Sequence, residues 1–268
     1  MGGWSTRSPW GMRSTPEPPR VRAMRLRVLG SSGTYPSAGV PASGFLLEHG
    51  ETSIIMDLGP GAFTSFTGIG TIEEIDALMI SHGHLDHCAD LLAWYHAGRY
   101  GVVRRPAITS YAPDGVFDRV QDFVRHDDDE MAMVFDHHLV GHGDASGVKE
   151  VSLNFCDATH PVPTVATKAS AGGSAIVYTG DTGWSDDVVE LAKGVDALLC
   201  DATTLEDFMP DVHCTPRVAG RMAAKAGVER LLLTHLREDV ETDRAIDQAS
   251  TEYPGPIDVV RAGDLIEI

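Results

Sequence analysis

From Met24 onward, short apolar runs alternate with stretches whose apolar residues recur at helical spacing. Runs at 26–29, 45–48 and 53–57 predict three strands separated by Gly, Ser and Pro turns, the first turn being the long 30–41 loop. A fourth strand, 77–81, leads directly into a histidine cluster. Residues 86–100 follow with Leu91, Leu92 and Tyr95 on one helical face and Asp86 placed for the helix N-terminus. A strand at 107–111 and a helix at 113–124 come next, Pro113 suiting a first helical position. The middle, 131–140 and 148–156, predicts two antiparallel strands. The last hundred residues predict strands at 175–179, 197–200, 230–234, 257–260 and 265–268, with helices at 186–193, 215–227 and 240–250. Two β-rich halves with helices to cover each imply an α/β (α+β) sandwich of two sheets with helices outside.

Five of the apolar strands end in a metal-ligating or hydrogen-bonding side chain: Asp57, His82, Asp181, Asp201 and His235. Strands of this kind, buried side by side, deliver those side chains to one rim, where ligands bind in α/β architectures.

Within that rim, His82-Gly83-His84-Leu85-Asp86-His87 carries the strongest chemical signal. In a tight turn leaving a strand, His82 and His84 share one metal, while Asp86 and His87 at the start of the next helix reach a second. Mixed imidazole and carboxylate suits zinc first, with manganese or iron as options. The opposing reading, a solvated polar turn, does not require four ligating residues in six.

Composition narrows the choice of substrate. The 268 residues are 43% hydrophobic, enough for a sizeable core, and carry a formal charge of -18. The first 25 residues run against that charge with five arginines and one acid, so the remainder is more acidic still. Such a body repels phosphate backbones at long range, which disfavours bulk nucleic acid as a partner and favours small molecules. The four cysteines have no CxxC spacing and read as free thiols in a reducing cytoplasm. There is no apolar run of membrane-spanning length and no secretory h-region, so a cytoplasmic location with no membrane partner is expected. Residues 1–23 lack periodicity and read as a disordered extension, a cloning remnant or an over-called start. Residues 24–268 read as the folded domain that carries the histidine cluster.

The motif resembles that of the metallo-β-lactamase superfamily, and the likeness runs from about Met24 to Ile268. It implies a four-layer αββα sandwich. It further implies His160 in Asp157-Ala158-Thr159-His160-Pro161 as third histidine, Asp181 as bridging carboxylate and His235 as final histidine. The implied assignment is His82, His84 and His160 on one metal, Asp86, His87 and His235 on the other, and Asp181 across both. His49, His96, His126, His137, His138 and His142 match nothing in the family pattern, and Asp127-Asp128-Asp129-Glu130 reads as a solvated loop before a cation site.

A carboxylate at 181, where the antibiotic-hydrolysing β-lactamases carry cysteine, points to the phosphodiesterase, ribonuclease Z and glyoxalase branches. The intact His84 argues against the redox diiron branch. Asp201-Ala202-Thr203 and His213-Cys214-Thr215 resemble paired segments of ribonuclease Z, in which an acid orients a histidine near the scissile phosphate; the blander option is that His213 caps the following helix. Asp57 reads as a hydrogen-bond acceptor behind the ligand turn. Only 20 residues separate His160 from Asp181, too few for the tRNA-gripping arm of ribonuclease Z. Segments 42–47, 81–88, 180–183 and 226–235 are most similar to actinobacterial cyclic-nucleotide phosphodiesterases.

The expectation is therefore a dinuclear-metal hydrolase of small phosphodiesters, cyclic nucleotides foremost, acting through a metal-bridging hydroxide, with Asp86, Asp181, His213 and Asp201 as the catalytic set. The alternatives are an arm-less ribonuclease Z-like nuclease, a lactonase or thioesterase, and a metal-stabilised binding module. A homodimer, frequent among relatives, is compatible with the sequence.

Overall fold

The computed structural model describes residues 23–125, 128–206 and 209–268. Residues 1–22, His126, Asp127, Asp207 and Phe208 lie outside the described residues, and with them the expected N-terminal extension up to residue 22 and the first acid of the 127–130 run.

Strands β1 (Arg25–Gly30), β2 (Gly44–His49), β3 (Thr52–Leu58) and β4 (Ala77–Met79) build the first sheet; a short helix, α1 (Ala62–Thr67), follows β3. The segment expected as one helix over 86–100 is two, α2 (Leu85–Cys88) and α3 (Leu91–Tyr100). They divide at Asp90, whose carboxylate accepts from the Phe63 N–H at 2.9 Å. Next come β5 (Ile108–Ala112), α4 (Val116–Val124), α5 (Asp128–Ala132) and β6 (Phe135–Leu139). The second half comprises β7 (Ala145–Val148), β8 (Val151–Asp157), β9 (Val165–Ala171), β10 (Ser174–Tyr178), α6 (Asp186–Leu191), β11 (Ala197–Asp201), α7 (Pro216–Ala226), β12 (Arg230–Thr234), α8 (Thr242–Ser250), β13 (Ile257–Val259) and β14 (Leu265–Glu267).

The first sheet runs β14-β1-β2-β3-β4-β5-β6 and the second β13-β12-β11-β10-β9-β8-β7. Alternation along each strand separates two faces. Leu26, Val28, Phe45, Leu47, Ile54 and Met56 turn inward to meet Leu153, Phe155, Ile176, Tyr178 and Leu199 between the sheets. Leu46, Ile55, Leu78 and Ile80 turn outward beneath Phe66, Leu91, Trp94, Val116 and Val120 of the first helical layer. Val177, Leu198, Leu231 and Leu233 do the same beneath Val188, Met222, Ala223 and Ala245. The result is the four-layer αββα sandwich. Burying each large apolar side chain contributes about 1.5–3 kcal/mol, so the three clusters are what hold the sheets in register.

The middle of the chain departs from its sequence reading. Residues 131–140 and 148–156 are not an antiparallel pair: Met131 and Ala132 belong to α5, and β6 runs parallel to β5 in the first sheet. In the second sheet β8 pairs antiparallel with both β7 and β9. The acids at 128–130 form the first turn of α5 rather than a loop, where the helix dipole favours them. Pro113 does not open α4, which starts at Val116 behind Gly115.

Helix starts near the rim follow capping rules. Ser185 accepts from the Val188 N–H ahead of α6, and Thr215 from the Val218 N–H ahead of α7, with Pro216 at the first helical position.

Candidate metal centre

Parallel pairing brings the five strand ends together. β3 and β4 run parallel in one sheet, and β10, β11 and β12 in the other, so their C-terminal ends share one edge of the sandwich. Asp57 lies next to last in β3, Asp201 ends β11, and His82, Asp181 and His235 follow β4, β10 and β12. An isolated antiparallel bridge between His82 and Thr164 draws the His160 turn over from the second sheet.

The seven side chains fall into two quartets sharing Asp181: His82, His84, His160 and Asp181, and Asp86, His87, His235 and Asp181, with ligand atoms within 4.8 Å of one another in each. In the first, His84 Nδ1 lies 3.1 Å from both His82 Nε2 and His160 Nε2, and His82 Nε2 lies 3.6 Å from Asp181 Oδ2. In the second, His235 Nε2 is 3.2 Å from His87 Nε2 and 3.1 Å from Asp86 Oδ2, while His87 Nε2 is 3.1 Å from Asp181 Oδ1. A tetrahedral ion with ligands at 2.0–2.1 Å has ligand-to-ligand edges of about 3.3–3.4 Å, so both quartets have the dimensions of such a shell.

Hydrogen bonds on the outer sides of the rings decide which nitrogen faces inward. His87 Nδ1–H donates to Asp57 Oδ2 at 2.6 Å, His160 Nδ1–H to the Val212 carbonyl at 2.8 Å, His82 Nδ1–H to Ser81 Oγ at 3.0 Å, and His235 Nδ1–H to Thr203 Oγ1 at 2.8 Å. Each ring therefore turns a lone pair inward. His87 Nε2 and Asp181 Oδ1 stand 3.1 Å apart, and with neither a proton nor a cation between them they would meet lone pair to lone pair. A cation between them converts the repulsion to attraction, which is why the residues present fit divalent metal ions.

The field of the site says the same. Burial pushes His235 toward neutrality, yet Asp181, Asp201 and Asp86 outweigh it and raise its pKa to about 10. Burial likewise disfavours charge on His87, but Asp181 and Asp57 carry it well above the ordinary value. Burial would raise Asp181, and the neighbouring His235 and His87 instead hold it well below the usual carboxylate range. Positive charge is thus stabilised around the second quartet, whereas burial lowers the pKa of His82 and His160 in the first. His84 sits on the more open side: burial lowers it, with His87 and Arg119 acting in the same direction.

Asp57 organises the turn behind the ligands. Its Oδ1 accepts from the Ser81 N–H at 2.6 Å, and its Oδ2 from Ser81 Oγ–H at 2.7 Å and from Tyr178 Oη–H and His87 at 2.6 Å each. Asp57 and His235 both take left-handed backbone, φ 57° and 61°, a cost of about 1–3 kcal/mol each that surrounding contacts must offset.

A second layer adjoins the quartets. His213 Nδ1–H donates to Asp201 Oδ2 at 2.9 Å and lies 3.8 Å from Asp181 Oδ2. Burial lowers the His213 pKa, but the hydrogen bond and charge of Asp201 prevail and raise it. Thr203 Oγ1–H donates to Asp201 Oδ1 at 2.6 Å, linking the His235 ring to the same carboxylate. His213 does not cap the following helix; Thr215 does. Tyr178, Thr203 and Arg119 carry site contacts that sequence reading did not assign. Tyr178 is the inward-facing end of β10 and Thr203 stands in the Asp-Ala-Thr segment, whereas nothing local to Arg119 signals its position. His49 is buried away from the centre, and His96, His137, His138 and His142 lie outside both quartets.

A family model described as a beta-lactamase superfamily domain matches residues 52–236, which span every residue of both quartets. The chain belongs to that superfamily. It is a metal-dependent hydrolase of the metallo-β-lactamase fold. An uncharacterized protein of Mycobacterium tuberculosis is 30% identical over 256 residues, covering 92% of this chain and 93% of the relative. A probable metallo-hydrolase of Bacillus subtilis, YhfI, is 27% identical over 246 residues, 90% of this chain and 98% of its own. The crystal structure of YhfI superposes with a TM-score of 0.82 at 25% identity, covering 92% of this chain and 100% of that one. Ribonuclease Z of Myxococcus xanthus is 24% identical over 302 aligned positions, 91% of this chain and 98% of the relative. No helix among the described residues is long and apolar enough to cross a membrane.

Proposed function

We propose that this superfamily member hydrolyses small phosphodiesters, 3′,5′-cyclic nucleotides foremost, to phosphomonoesters with two divalent ions, zinc first. The seven residues of the two quartets are the ligands, with His82, His84 and His160 on one ion, Asp86, His87 and His235 on the other and Asp181 across both. When bound, such a pair supplies a nucleophile at neutral pH and offsets charge on the nonbridging phosphoryl oxygens.

The observation that carries the phosphodiester reading is the Asp201–His213 pair, 2.9 Å apart and beside Asp181. Asp201 accepts from Nδ1–H and favours the cationic form of His213, which leaves Nε2–H for the substrate. As hydroxide, formed when the attacking water releases a proton to solvent, adds to phosphorus and the P–O3′ bond breaks, Nε2 gives its proton to the departing O3′ and is then reprotonated from solvent. A carboxyl-ester hydrolase has less need of an imidazolium there, since the ions can take the oxyanion. Asp86, buried against His235, fixes the second quartet rather than moving a proton.

Compactness of the substrate is supported by what fills the space between His160 and Asp181. β9 and β10 pair antiparallel and close on Gly172-Gly173. That hairpin consumes the segment in which a long RNA-gripping arm would have to be inserted. The likeness to Ribonuclease Z keeps RNA processing as the alternative.

The test is a side-by-side assay of metal-loaded protein on cyclic AMP, a precursor tRNA and a lactone. Cyclic AMP turnover that falls at least a hundredfold in His213→Ala, with metal retained, is expected. Turnover of the tRNA or the lactone with cyclic AMP inert overturns the reading.

A further inference from the structure

Arg119 lies on α4, 36 residues beyond Gly83 in sequence, yet its guanidinium rests on the ligand turn. Nη1 donates to the Gly83 carbonyl at 2.8 Å. A Cβ added at Gly83 would stand 3.3 Å from Arg119 Nε and 3.4 Å from Cδ, so the arginine lies flat against the one position in the turn with no side chain. Gly83 separates His82 from His84, and His84 and His160 are the half-buried members of the first quartet, on its open side. The Gly83 carbonyl takes one of the five N–H donors of a guanidinium, and Arg119 is exposed.

Charge accounting gives this placement a purpose. Two divalent ions add four positive charges, and the carboxylates around them, Asp57, Asp86, Asp181 and Asp201, add four negative ones. The loaded centre is therefore formally neutral apart from His213, inside a chain of net charge -18. A phosphodiester is an anion, and its transition state concentrates more charge on the nonbridging oxygens. The chain's overall field opposes its approach. A planar donor fork at the open side of the quartets has the geometry that binds phosphate oxygens in pairs.

Resting on the phosphodiester reading, we infer that Arg119 is a substrate-binding residue that holds a nonbridging phosphate oxygen at the open side of the His82-Gly83-His84 turn. The competing role is structural: the arginine merely fastens the Gly83 carbonyl. The two differ in what survives substitution. A fastening role predicts lost metal and a lowered unfolding midpoint, whereas a binding role predicts lost phosphate affinity with metal retained.

The experiment uses the metal-loaded full chain and its Arg119→Ala and Arg119→Lys variants. Metal content is measured, inorganic phosphate is titrated by calorimetry, and kcat and KM are measured on bis(4-nitrophenyl) phosphate. The expected result is unchanged metal content, a phosphate Kd at least tenfold weaker in Arg119→Ala, partial recovery in Arg119→Lys, and a rise in KM larger than any fall in kcat. Unchanged phosphate affinity, or affinity and metal lost together in both variants, overturns the inference. If phosphate affinity falls as expected but no phosphodiester is cleaved even by the parent protein, the functional reading fails and the anion site stands. Cleavage with a KM indifferent to Arg119 leaves the opposite outcome.

Discussion

Asp57 and His87 are joined by a 2.6 Å hydrogen bond, Nδ1–H to Oδ2, with neither side chain exposed to solvent. That contact fixes the His87 tautomer, aims Nε2 at Asp181 and ties β3 to α2. Because Ser81 and Tyr178 donate to the same carboxylate, one residue sets the orientation of the turn entering the motif and of the ring within it.

Asp57→Asn should therefore act well beyond its own contacts. An amide NH2 would confront donors that now find an acceptor, and leaving buried partners unpaired costs about 3–5 kcal/mol. Misorientation of His87 should weaken metal binding about 10–100-fold. Urea unfolding and chelator competition check the two effects; a variant unchanged in both would show that the hub is dispensable.

Chelation should both inactivate and destabilise the protein. A ligand held at 100 times its Kd stabilises the native state by about 2.7 kcal/mol, so the metal-free chain should unfold at lower temperature and recover with added zinc. An unfolding midpoint indifferent to chelation would mean that no metal is bound to the native fold.

Gly180 offers a steric test of how Asp181 is placed. Its φ is +59°, and an added Cβ would lie 2.7 Å from the Ser81 Cβ. Gly180→Ala should cost about 1–3 kcal/mol through strain and overpacking, and it should displace Asp181 from both quartets at once. Calorimetry and metal content measure this; a stable, fully loaded variant would contradict the packing described.

The Asp201–His213 pair gives pH dependence a sign. His213 has a raised pKa in the fold, so the pair's contribution is complete below the ordinary histidine value near 6.5 and is lost as pH climbs through the higher folded value. If the imidazolium donates the leaving-group proton, kcat declines over that alkaline range. Asp201→Asn removes the charge that raises His213, so the alkaline limb should move to lower pH. A limb that stays in place would assign it to another group.

Much of this site could be read from the sequence because five of its residues end apolar strands. The runs before Asp57, His82, Asp181, Asp201 and His235 predict both the strand and the shared edge, and the motif at 82–87 names the chemistry. The 131–140 segment failed for a physical reason: β6 is an edge strand with only Phe135 buried, so its pattern carries little information about which sheet it joins. The small residues of β9 hid a strand that hydrophobicity alone does not mark. Arg119 was illegible because it reaches the ligand turn through tertiary packing, with only a carbonyl as its partner.

The most direct test of the proposed dinuclear centre is anomalous diffraction at the zinc edge from crystals of the zinc-loaded protein. Two peaks are expected, one within the His82, His84 and His160 cluster, the other within that of Asp86, His87 and His235, with Asp181 reaching both. A single peak, or none inside either quartet, would contradict the account.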